Sequence, residues 1–247
     1  VEGRYSYATG DTSHAEGSGT TAFGDASHSE GYQTTASGFA SHAQGLYTKS
    51  FGNYSHTEGQ FTTAIGSSSH AEGDSTRAMG YASHAEGVYT TAIGTYSHAQ
   101  GNQIIASGQS SHAEGEYTTA LGAVSHASGY GSIASGITSF VHGNNSVAGG
   151  TGTIVLGDNI TGTTDNTTYV NLLNIKNVGS TAFANDIRID ANGNLTTNTS
   201  DERLKENITP LSGALATIQA LKGVSYQWKD RNAGTDAVKL GFIAQQV

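Results

Sequence analysis

Nine histidines, His14, His28, His42, His56, His70, His84, His98, His112 and His126, recur every fourteen residues, and Phe140 takes the tenth place. Two positions after each histidine stands Glu, Gln or Ser, as in His14-Ala15-Glu16 and His28-Ser29-Glu30. In an extended chain, residues i and i+2 share a face, so an imidazole and a carboxylate point the same way in every unit. Stacked units turn the pair into a ladder, whose chemistry is proton exchange or metal ligation. The simpler reading is a solvated polar face on which histidine and glutamate pair along the stack. Gln44, Gln100 and Ser128 interrupt the carboxylates, against an obligatory ion. No metal site or cofactor is therefore assigned, and a ladder of the His14, Glu16, His28, Glu30 type is the lesser alternative. Histidines about 5 Å apart resist simultaneous protonation, which predicts loosening near pH 5.

The elements that carry these residues follow from a finer period. Glycine recurs every seven residues from Gly3 to Gly150, and two residues before each stands a small one, such as Ala15, Ala22, Ser29 and Ala36. A fixed short repeat cannot bury its own apolar face, so its units must stack into an elongated array. Each coil reads as two halves, Ser-His-Ala-Glu-Gly-x-x and Thr-Thr-Ala-Ile-Gly-x-x. Each half is expected to be a strand of about five residues closed by a turn at glycine, where positive φ carries no Cβ strain. Alternation points the small residues inward, into an interior too thin for large side chains. Outward, one half shows His and Glu. The other shows Thr with Phe23, Phe51, Ile65, Met79, Ile93 or Leu121, an apolar column expected to meet other copies of the chain, most simply about a threefold axis. Ten coils at about 4.8 Å make a rod about 50 Å long.

Composition removes other classes. Glycine is abundant (34 residues), yet its seven-residue spacing excludes collagen. Without cysteine there are no disulfides, zinc–thiolate sites or thiol nucleophiles. Residues 1–150 hold three basic against eleven acidic residues, a formal −8, so nucleic acid is not an expected partner. No apolar run approaches the ~20 residues of a membrane span, and membrane insertion is not expected. Outside the repeat no spaced carboxylate pair suggests a glycosidase, so no turnover on external substrates is expected. The chain starts in mid-repeat and stops in mid-motif, reading as a piece of a longer protein.

The repeat rhythm fades after Gly150 into a β-rich connector, residues 151–199. There Asn192-Gly193 between Ile187-Arg188-Ile189 and Leu195-Thr196 signals a hairpin. Beyond it, Leu211, Leu215, Ile218 and Leu221 follow a helical period with Gly223 as C-cap, and Val224–Lys229 alternates as a strand.

Residues 1–150 resemble the head repeats of YadA-type trimeric autotransporter adhesins, as in Thr62-Thr63-Ala64-Ile65-Gly66. That resemblance implies a mainly β fold: a left-handed parallel β-roll of 14-residue coils in a homotrimer. Residues 200–247 resemble the endosialidase-type intramolecular chaperone that ends many phage tail spikes and fibres. Ser200-Asp201-Glu202-Arg203-Leu204-Lys205-Glu206-Asn207-Ile208 and the later Gly241-Phe242-Ile243-Ala244-Gln245 carry the likeness. Taken alone, Ser200 and Lys205 are a helix cap and its solvated face. The resemblance instead implies the start of an α+β domain that trimerises, guides folding of the stalk, and releases itself by cleavage between Thr199 and Ser200. Ser200 is then the nucleophile and Lys205 its partner, in at most a single turnover. Such a chaperone also answers a register problem, because near-identical coils slipped by one repeat keep almost every contact.

The combination implies a homotrimeric phage tail fibre, assembled in the host cytoplasm and carried on the virion tail. Its partner is then a host-surface receptor, a glycan or an outer-membrane component. The alternative is a bacterial trimeric surface adhesin, at the cell surface, using the same chaperone module.

Overall fold

In the computed structural model the described residues are 1–171 and, beyond them, the segments 186–189, 195–198, 212–213, 215, 221–226 and 239–241. The chain divides into two compact units, Val1–Ile175 and Lys176–Val247.

The first unit is a parallel β-solenoid of fourteen-residue coils, with one sheet of 13 strands and another of 12. Every pairing joins residues fourteen apart: His14 lies opposite His28, Glu16 opposite Glu30 and Gly17 opposite Gly31. The two halves of a coil are unequal, which corrects the expectation of two five-residue strands. The His-Ala-Glu-Gly-x half makes five-residue strands such as His70–Asp74, whereas the Thr-Ala half makes two-residue strands such as Thr63–Ala64. The parallel ladder does not stop at Gly150: Ile154–Leu156 pairs with Phe140–His142 on one side and with Thr168–Val170 on the other.

Inside the roll the two alanine columns are fully buried, from Ala15 and Ala22 to Ala127 and Ala148. Two further interior columns come from the residues that open each half. Thr20, Thr34, Thr48, Thr62, Thr76, Thr90 and Thr118 form one, and Ser27, Ser41, Ser55, Ser69, Ser83 and Ser97 the other, all at most 2 % exposed. Many of the serines are satisfied locally, as where Ser83 Oγ donates to the Gly80 carbonyl at 2.8 Å and Ser97 Oγ to Gly94 at 2.6 Å.

The seven-residue glycines serve close stacking throughout, and alternate ones, such as Gly73 at φ +104°, also use the positive φ that the sequence predicts. A Cβ on Gly66 would sit 1.9 Å from the Gly80 carbonyl oxygen, and one on Gly73 would sit 2.1 Å from that of Gly87. No side chain fits where backbones approach so closely. The corner itself falls two residues later, at positions such as Ala26, Ala40, Tyr54 and Tyr96, which hold φ between +48° and +58°. An L-residue there costs about 1–2 kcal/mol. The same geometry turns its amide to the preceding coil, where Ala26 donates to Asp11 O at 2.7 Å and Ala40 to Asp25 O at 2.9 Å. The corners thereby join the inter-coil ladder, which offsets their strain.

In the second unit Asp186–Ile189 pairs antiparallel with Leu195–Asn198, the hairpin signalled by Asn192-Gly193. Val224–Tyr226 pairs antiparallel with Lys239–Gly241. Of the helix expected over 211–222, most residues lie outside the described ones.

Candidate functional site

The long-strand sheet stacks its histidines in register. From His14 to His126 successive imidazoles lie 4.7–5.0 Å apart with interplanar angles of 2–19°. Phe140 closes the stack edge-on at 5.0 Å from His126. Below it the carboxylate column ends where Ser128 Oγ meets His142 Nδ1 at 2.8 Å.

Two of the carboxylates, Glu30 and Glu86, each reach two coils. Glu30 places Oε2 at 3.9 Å from His28 Nε2 and Oε1 at 3.8 Å from His42 Nε2. Glu86 spans His84 and His98 in the same way, at 3.9 and 4.0 Å. His84 is also 3.6 Å from Glu72, so a single Nε2 stands between carboxylates of its own coil and the one before. The structure thus brings together the sequence-nominated Glu16, His28 and Glu30, whose ligand atoms lie within 4.8 Å of one another, with His14 Nε2 at 3.9 Å from Glu16. The glycines beside the glutamates leave a groove of about 780 Å³ along Glu58, Glu72 and Glu86, ending at Gln44 and Gln100.

The stack changes the basicity of its members. Burial, followed by the neighbouring His56 and His28, lowers His42 from the usual 6.5 to about 4. Burial, then His112 and His84, does the same to His98. Both belong to the coils in which glutamine replaces glutamate, at Gln44 and Gln100. His70 and His112 are lowered by the same first cause.

The short-strand sheet presents a different face. Phe23, Phe51, Ile65, Ile93 and Leu121 stand 42–56 % exposed in one column, as the alternation of the Thr-Ala half predicts. Aromatic pairs at the corners went unforeseen: Tyr47 stacks on Phe61 at 5.2 Å, and Tyr81 meets Tyr96 edge-on at 5.6 Å. The partners are fourteen and fifteen residues apart, an irregularity that the strict repeat hides. Ser200 and Lys205, and the Thr199–Ser200 bond, lie outside the described residues. Among the described residues no helix is long and apolar enough to cross a membrane.

Two family models match the chain. The YadA head domain repeat matches residues 2–27, 58–76, 71–97, 99–125 and 127–159, and the chaperone of endosialidase matches residues 200–247. No curated protein matches the chain.

Proposed function

We propose, from the premise that this chain belongs to the family built from YadA head domain repeats, that it is a homotrimeric fibre whose C-terminal chaperone sets the register of its shaft. One observation carries the reading: head repeats and a chaperone of endosialidase type stand in that order on a single chain. YadA-type repeats imply self-association as a homotrimer, and the exposed Phe23–Leu121 column supplies the apolar surface such an assembly covers. Near-identical coils give three chains no means of choosing their register, so a trimeriser at one end has physical work to do.

The fibre serves host attachment as part of a phage tail, with the roll as spacer or receptor-contacting surface. A bacterial surface adhesin uses the same parts, and the head repeats favour it as the second reading.

Release of the chaperone follows from Ser200 and Lys205. Neutral Lys205, its pKa lowered by burial in the assembled trimer, takes the Ser200 Oγ proton while Oγ attacks the Thr199 carbonyl carbon. The Thr199–Ser200 amide bond breaks as the ester forms, and the proton passes to the leaving amine. Water then hydrolyses the ester, leaving the Thr199 carboxylate and a new amino terminus at Ser200.

Intact-mass spectrometry on the complete gene product tests this, with wild type beside Ser200→Ala. The expected result is a wild-type chain ending at Thr199 and an uncut variant. Two uncut chains would make the C-terminal domain a permanent clamp and remove the catalytic roles.

A further inference from the structure

The polar face of the roll holds its donors in an arrangement that solvation alone does not require. The Nε2 atoms of His28, His70, His84 and His98 are shielded from solvent and have no hydrogen-bond partner, although carboxylate oxygens converge on several of them. The oxygens stop at 3.6–4.0 Å, beyond good hydrogen-bond length. A buried nitrogen that faces anionic oxygens without bonding to them is poorly satisfied when neutral. A cation placed between them would satisfy both partners at once.

We propose that this face binds divalent transition-metal ions of the zinc type at three places in each chain: Glu16–His28–Glu30, Glu58–His70–Glu72 and His84–Glu86–His98. In each group the three ligand atoms already lie within 4.8 Å of one another. An ion about 2.0–2.1 Å from each donor needs donors roughly 3.4 Å apart, so donors that lie up to 4.8 Å apart close by at most about 1.4 Å. Mixed imidazole and carboxylate donors suit zinc, nickel and copper over magnesium and calcium, which take oxygen. Water completes the coordination. The in-register stack fixes the ring planes before any ion arrives, which reduces the ordering cost of binding. Gln44 and Gln100 bound the middle run of carboxylates, Glu58, Glu72 and Glu86. Loading is therefore local to each run and not continuous along the rod.

The same two glutamines supply the control. Each occupies the carboxylate column within an unbroken parallel ladder, so Glu→Gln in this column is compatible with the fold. The experiment uses chelator-treated full-length trimer, titrated with Zn²⁺ by calorimetry and followed by elemental analysis after gel filtration, with Mg²⁺ in parallel. The variant combines Glu30→Gln, Glu72→Gln and Glu86→Gln, one change in each group. The expected result is three zinc ions per chain in wild type, none retained by the variant, and no retained magnesium. Melting in chelator should be the same for both proteins, which separates loss of ligands from loss of fold. Fewer than one zinc per chain in wild type would overturn the proposal. Equal zinc in wild type and variant would do so too, since the metal would then sit elsewhere.

Discussion

The two outward faces of the roll stand on one backbone and share one interior, yet their chemistry has nothing in common. The long-strand face carries stacked imidazoles and carboxylates, while the short-strand face carries Phe23, Phe51, Ile65, Ile93 and Leu121. Between them the alanine, threonine and serine columns hardly change from coil to coil. The difference teaches that the fold is specified by inward and stacking positions, leaving every outward column free to take a separate task. On the proposed reading, assembly falls to one face and polar chemistry to the other.

The largest expected effect removes both faces together, by breaking the stacking on which they rest. Gly66→Ala forces a Cβ to within 1.9 Å of the Gly80 carbonyl oxygen and should cost about 3 kcal/mol or more. Gly19→Ala meets the flexible Gln33 side chain at 3.2 Å as its tightest contact, at a corner φ of +69° in the same left-handed region that alanine holds at Ala26 (+54°) and Ala40 (+48°), and should cost about 1 kcal/mol. Thermal melting of the two variants checks the contrast. Equal losses would mean that the stack relaxes around the added methyl group and that close approach is not what demands glycine at position 66.

A smaller effect touches the polar face alone. His42 and His98 titrate near 4 in the roll against 6.5 in the unfolded chain. Above pH 6.5 neither state is charged and the pair has no influence on stability. As pH falls from 6.5 towards 4 the unfolded chain takes up protons that the roll refuses, so stability is lost across that window. Facing His42 are His28, His56, Glu30 and Glu58, and facing His98 are His84, His112, Glu86 and Glu114. In chelator, melting temperature should drop between pH 7 and pH 4.5, and His42→Gln with His98→Gln should shrink the drop. A pH-independent melt would contradict the burial of these rings.

The smallest effect sharpens the comparison from inside. Thr62, Thr76 and Thr90 bury hydroxyls that find no partner, and Ile104 fills the same column fully buried. Thr→Val at each removes an unsatisfied polar group at nearly constant volume. Each should stabilise by about 0.5–1 kcal/mol, read by denaturant melting, without altering either face. Destabilisation would show that these hydroxyls are bonded in solution.

Much of this was legible in the residues. The fourteen-residue histidine period and the small residue before each glycine suffice for stacked coils, a thin core and two unlike faces. Alternate glycines, such as Gly17 at φ +109° and Gly73 at +104°, do use their torsion freedom, but nearly all of the series also lacks room for a side chain, and the two uses leave the same mark in a sequence. Only the built stack shows backbone oxygens where the Cβ atoms would stand. Corners at Tyr54, Tyr96 and Ala40 were hidden because non-glycine residues at positive φ have no strong signature, and here inter-coil hydrogen bonds hold them. The interior threonines escaped because Thr-Thr reads as two polar residues until the register buries the first and exposes part of the second, as at Thr62 and Thr63. That one carboxylate serves two imidazoles depends on stacking distance, which no single coil encodes.

The central claim is that the apolar short-strand face lies against partner chains while the histidine face looks outward. The chain has no cysteine, so one introduced thiol labels one position without further engineering. Spin labels at Ile93→Cys and, separately, at Glu86→Cys in the assembled trimer report inter-chain distances by pulsed electron paramagnetic resonance. The account predicts a short, narrow distance distribution at position 93 and a clearly longer one at position 86. A shorter distance at 86 would place the histidine ladder on the assembly axis and contradict the assignment of the two faces.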